Sequence, residues 1–76
     1  MIAEHDLVVL SRDIDGHGLE TGDVGTVVHC YSDGEAYEVE FVTAEGETLA
    51  VLTLGTKDVR AMNGSEILHA RELAVV

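Results

Sequence analysis

"VGTVVHCYSDGEAYEVEFVTAEGETLAVLTL", Val24–Leu54, sets two turn signals between three runs of strand-forming residues. Asp33-Gly34 suits a two-residue reversal with positive φ at both central positions. Ser32 then stands opposite Glu35, Cys30 opposite Tyr37, Val28 opposite Val39 and Thr26 opposite Phe41. A second reversal at Glu45-Gly46 places Val42 opposite Leu49, Phe41 opposite Ala50 and Val39 opposite Leu52. The two registers agree on which side chains of "AYEVEFV" turn inward, and that strand alternates as a half-buried strand should. The expected core is Val28, Cys30, Tyr37, Val39, Phe41, Ala50, Leu52, Leu54 and Val59, with half of the first strand.

The same pairing defines the other face. Val27, Val42, Leu49 and Val51 are expected outside, beside His29, Glu38 and Glu40. Four grouped aliphatics exceed the isolated apolar residues that any surface carries, so something should cover them. The C-terminal tail could do so through Ile67, Leu68 and Leu73. A second copy of the chain or another protein is the functional answer.

Working outward, "LVVLS" (Leu7–Ser11) reads as a first strand. "RDIDGHGLETGD" (Arg12–Asp23) reads as a long loop with several glycine turns. After the third run, "GTKD" suits one turn of tight helix and "VRAM" a short fifth strand. In "NGSEILHARELAVV", Ser65 is a candidate N-cap, Glu66 favours the positive end of a helix and Arg71 lies toward the other end. The expected fold is all-β: a small SH3-like five-stranded antiparallel barrel with a short C-terminal helix. One domain spans 1–76, the barrel about 5–62 and the helix or tail 63–76. An OB-like barrel is the alternative.

The chain has 76 residues, enough for one small core, and fifteen acids against four cations give a net charge of −11. That field repels phosphate backbones and anionic lipid, so nucleic acid and membrane are not expected partners. It maintains solubility and attracts a basic protein. One cysteine forms no internal disulfide, and "MIAEHD" lacks the basic and apolar segments of a signal, so cytoplasmic residence is expected.

Site chemistry is sparse. "GDVGT" lacks the spacing and lysine of a phosphate loop, so Gly22 reads as a turn glycine and Gly25 as a close approach or bulge. His5, His17, His29, His69 and Cys30 have no metal-ligand spacing, and His29 and Cys30 point to opposite faces. Cys30, expected inside, has no activating cation. Ser11, Ser32 and Ser65 sit in no nucleophile motif. Glu38 and Glu40 share a face without a pocket. No catalytic residue, cofactor or metal is assigned, and no enzyme activity is expected.

The pieces "HGLETGDVGTVVH", "AYEVEFV", "ETLAVLTL" and "DVR", followed by "EILHAREL", resemble a family of small bacterial proteins known as a domain of unknown function (DUF4926). The family is similar to SH3-like barrels, including that of the nitrile hydratase β-subunit, whose "GTVV"-like strand looks alike. This chain lacks the Cys-rich metal motif of the α-subunit, so hydratase activity does not carry over. The resemblance implies a free-standing bacterial protein that binds another protein, such as the neutralising half of a toxin pair. The leading expectation is therefore a noncatalytic, acidic protein-binding module of the antitoxin or immunity type. It would use Val27, His29, Glu38, Glu40, Val42, Leu49 and Val51 against a basic partner. A self-associating accessory barrel, as a homodimer, is one alternative. A small metal-binding protein or enzyme accessory is another.

Overall fold

A computed structural model describes residues 2–73 of the chain. Five strands form one antiparallel sheet: β1 (Leu7–Leu10), β2 (Val24–Cys30), β3 (Ala36–Val42), β4 (Thr48–Gly55) and β5 (Val59–Ala61). Their order across the sheet is β4-β3-β2-β1-β5. β4 and β5 are therefore its two edges, and no pairing joins them. The expected SH3-like barrel is corrected to an open five-stranded sheet. Five strands are enough to wrap one aliphatic core, and among the described residues β4 finds strand partners only in β3.

Both expected reversals are present, built differently from expectation. Gly34 N–H donates to the Tyr31 carbonyl and Gly46 N–H to the Thr43 carbonyl, each 2.9 Å. The central pairs are Ser32-Asp33 and Ala44-Glu45, and positive φ falls only on the glycines that follow, 71° and 87°. One left-handed residue closing a four-residue turn returns the strand in register, and glycine takes that conformation without a Cβ penalty. Side chains assist: Asp33 accepts from the Glu35 amide at 2.9 Å and Thr43 Oγ1 from the Glu47 amide at 3.2 Å.

β2 and β3 begin in the expected register, Cys30 opposite Tyr37 and His29 opposite Glu38. The ladder then slips, with Val27 opposite Val39 and Thr26 opposite Glu40. Val28 is the extra residue of a β-bulge, so the two valines exchange places. Val27 is fully buried, at 0% exposure, while Val28 is 41% exposed. The expected core position of Val28 and outer position of Val27 are thereby corrected. Two contacts hold the slip. Val27 N–H donates to the Asp6 carbonyl at 2.9 Å, and the Val27 carbonyl accepts from His5 N–H at 2.7 Å. Gly25 is turned inward, where an added Cβ would stand 2.5 Å from Val39 Cγ1 and 2.8 Å from Phe41 Cε1. Only glycine fits there.

A second irregularity lies in β3–β4. Phe41–Ala50 and Val39–Leu52 pair as expected, but Val42 stands opposite Thr48 and the expected Val42–Leu49 pair is lost. The core comprises Val8, Leu10, Val27, Tyr37, Val39, Phe41, Leu54 and Val59. Ile14 and Leu19 join it from the long loop, where Ile14 N–H donates to the Leu19 carbonyl at 3.0 Å. Cys30 and Leu52 are only partly buried against this cluster.

The described residues contain no helix. "GTKD" is a single turn, closed by Asp58 N–H donating to the Gly55 carbonyl at 3.0 Å and by the Asp58 carboxylate accepting from the Gly55 amide at 2.9 Å. The expected C-terminal helix is replaced by one turn at Asn63–Glu66 and irregular chain from there to Leu73. Asn63 Oδ1 accepts from the Ser65 amide at 3.1 Å and from its hydroxyl at 3.0 Å, while Glu66 reaches back to the Asn63 amide at 2.7 Å. Such local bonds offer the backbone an alternative to helix. A two-turn helix without packing cannot outcompete them, and Ile67 is 95% exposed. Residues 74–76 of the expected tail lie outside the described residues.

Candidate functional site

The outer face of β2–β3–β4 carries six of the seven residues expected at a partner site; Val27 belongs to the core. Val42 and Val51 are each 49% exposed and Leu49 37%. His29 is exposed, and Glu38 and Glu40 are half-buried. Glu40 pairs directly with Val51 across the β3–β4 ladder, and Glu38 lies between His29 on β2 and Thr53 on β4.

The face divides into a polar end and an apolar end. At the polar end the Glu38 carboxylate accepts from the Tyr31 hydroxyl at 2.9 Å and from the Thr53 hydroxyl. The Thr53 bond, the Tyr31 bond and nearby His29 hold the Glu38 carboxyl below its ordinary range, against a smaller opposing effect of burial. Tyr31 is raised in return, first by its bond to Glu38. The Tyr31 ring meets His29 edge-on, centroids 4.9 Å apart, and His29 Nδ1 lies 3.6 Å from Glu4. Glu40 accepts from the Thr48 hydroxyl at 2.7 Å. Hydroxyl donors thus fix the position of both carboxylates.

At the apolar end, Val42 and Leu49 line a groove of about 660 Å³. Ala70, Arg71 and Leu73 of the tail line the same groove, together with Leu19 and Phe41. The tail thus runs beside the outer aliphatics. Ile67 and Leu68 point to solvent, and Leu73 stays 40% exposed, so these side chains do not cover the face as expected.

Arg71 anchors the tail, a contact the sequence reading missed. Its guanidinium grips the Asp23 carboxylate at 2.8 Å through Nε and 2.6 Å through Nη2, and Nη2 also donates to the Gly18 carbonyl at 2.7 Å. Asp23 additionally accepts from the Glu20 amide at 2.8 Å, and His69 Nε2 lies 3.8 Å away. Burial works to raise the Asp23 carboxyl, but Arg71, the Glu20 amide and His69 together outweigh it and leave it below its ordinary value. The available signal was scarcity: with three arginines among fifteen acids, each arginine should find a carboxylate. Arg12 pairs with Asp58 and Arg60 with Glu66, as Arg71 does with Asp23. Which acid belongs to which cation depends on the fold.

No group of three or more His, Cys, Asp or Glu side chains among the described residues is arranged to hold a metal ion. Cys30 Sγ lies 3.9 Å from the Ile2 carbonyl. No helix among these residues is long and apolar enough to cross a membrane.

No curated protein and no solved structure matches the chain. One family does, over residues 4–61, from the N-terminal segment that fixes the bulge through the end of β5. The matched span contains every strand and six of the exposed and half-exposed residues above, but excludes the Arg71 anchor. The chain therefore belongs to the family described as Domain of unknown function (DUF4926).

Proposed function

We propose that this protein is a noncatalytic protein-binding module whose outer sheet face receives a basic partner. One observation supports this most: Val42, Leu49 and Val51 lie exposed together on a face whose carboxylates, Glu38 and Glu40, are held in place by threonine and tyrosine hydroxyls. Exposed aliphatics supply contact energy, and a net charge of −11 accelerates encounter with a cationic surface. The partner site is Val42, Leu49, Val51, His29, Glu38 and Glu40, with Val28 in the position expected of Val27. A neutralising role toward a bacterial toxin fits this arrangement, because inhibition needs only tight coverage and no chemistry. Cytoplasmic residence belongs to the same reading.

The test is co-purification from the native host at low salt, comparing the natural chain with Val51→Lys. Because Val51 is half exposed on an outer face, the variant should keep the circular dichroism of the natural chain. A stoichiometric basic protein retained by the natural chain and lost from the variant is the expected result. Retention by both proteins overturns the site, and loss accompanied by unfolding overturns the placement of Val51 at a free surface.

A further inference from the structure

We propose that β4 is a self-pairing edge, and that two copies join through it, antiparallel about a twofold axis at Leu52, into one continuous sheet. Thr48 to Thr56 is the longest stretch of the chain without an ionisable side chain. Edge strands of monomeric proteins are usually short, charged, bulged or covered. β5 is such an edge, three residues long with Arg60 in its middle. β4 has eight residues, and its irregularity lies at its beginning.

Backbone alternation shows which groups are free. The Ala36 carbonyl accepts from Tyr31 N–H on the β2 side, so its partner Gly55 directs its backbone groups away from β3. Asp58 satisfies both of them, taking the Gly55 amide at 2.9 Å and donating its own N–H to the Gly55 carbonyl at 3.0 Å. Two and four residues earlier, Thr53 and Val51 point the same way and have no strand partner on that side among the described residues.

One antiparallel register uses all of these groups. With Leu52 opposite Leu52 of the second copy, Val51 faces Thr53 and Thr53 faces Val51, each exchanging both backbone hydrogen bonds. Sliding by one pair in one direction sets Val51 against Gly55, whose groups are already taken. Sliding the other way sets Thr53 against Leu49, inside the irregular stretch. The favoured register also brings the Glu47 end of β4 in each copy to the Lys57 end of the other. Among the described residues Lys57 is the one cation without an ion pair, and Glu47 has none either. Uncharged strand, free backbone groups and complementary ends all point to a second copy as the occupant. This inference does not rest on the partner-binding reading above.

Sedimentation velocity from micromolar to millimolar chain should show a reversible dimer. Thr53→Pro removes an outward amide without touching the β3 ladder and should abolish the dimer, whereas Thr53→Val keeps the amide and should preserve it. Glu47→Lys or Lys57→Glu alone should weaken association about tenfold, as two symmetric attractions become repulsions, and the double exchange should restore it. In a Cys30→Ser background, Leu52→Cys should oxidise to a covalent dimer, because it faces its own copy at a closely spaced, non-hydrogen-bonded pair; Thr48→Cys should not. This cross-link decides the matter if Thr53→Pro does not fold. A natural chain that is monomeric throughout overturns the proposal. So does a dimer unchanged by a folded Thr53→Pro, or cross-linking through Thr48→Cys as readily as through Leu52→Cys.

Discussion

Between Val24 and Gly55 the chain reverses twice at glycines and builds three strands; from Met62 to Leu73 it carries a cap residue, an acid at the start and a basic residue near the end, yet forms no helix. Local preference is present in both regions. The difference is what stands opposite. Tyr37 to Glu40 of β3 meet strand partners on both sides, and Val39 and Phe41 are buried in a cluster with side chains from β1, β2 and β4. The tail meets the body chiefly through two ion pairs, Glu66 with Arg60 and Arg71 with Asp23. A weak local bias becomes structure when long-range packing rewards the same geometry, and yields to nearby side-chain hydrogen bonds when packing does not.

That contrast can be broken most severely in the hairpins. Gly25→Val would drive two methyl groups into Val39 and Phe41, where even a Cβ has no room. Overpacking of this kind should remove about 3 kcal/mol from the urea unfolding free energy. A chain of unaltered midpoint would show that the bulged register is wrong.

A finer blow separates the two valines beside it. Val27→Ala should lose about 2 kcal/mol, the value of a fully buried branched side chain, while Val28→Ala should stay within about 0.5 kcal/mol. Equal losses would restore the straight register and return Val28 to the core.

Arg71→Ala tests the tail. It removes two bonds to a largely buried carboxylate and should lower stability by about 1.5 kcal/mol. Amide exchange should accelerate at residues 18–23 and 69–73 while β2 and β3 stay protected. If protection falls across the whole sheet, the tail is integral to the core and the contrast between the regions fails.

The smallest effect is expected at the Asn63–Glu66 turn. Arg60 and then the Asn63 amide lower the Glu66 carboxyl from 4.5 to about 2. A depressed carboxyl contributes stability above its unfolded value and loses it as pH falls through its folded value. The natural chain should therefore exceed Glu66→Gln by a small, constant margin above pH 4.5, and the margin should vanish as pH approaches 2. Urea midpoints along that range measure it. A margin that grows on acidification would refute the assignment.

Much of the fold was legible because strand alternation and turn glycines are local and periodic. Glu38, Glu40, Val42, Leu49 and Val51 could be placed outside from β3 and β4 alone. Val27 and Val28 could not be told apart. They are chemically identical neighbours, and the choice between them is made by the His5 and Asp6 backbone on one side and the crowding at Gly25 on the other. The roles of Ile14 and Leu19 in the core and of Asp23 as the anchor of Arg71 were hidden for a related reason. Each depends on a loop folding back over distances that no short motif encodes.

The amino-acid order by itself determined an all-β chain, two glycine-terminated reversals, the inward side of β3 and an acidic, cation-poor surface. Periodicity, turn chemistry and charge count require no knowledge of distant neighbours. Tertiary structure alone decided the bulge at Val28, the open β4 edge, the absent helix and the pairing of each arginine with its carboxylate. Those outcomes compare free energies between segments far apart in the chain, where steric fit and backbone hydrogen bonding select among choices that are locally almost equal.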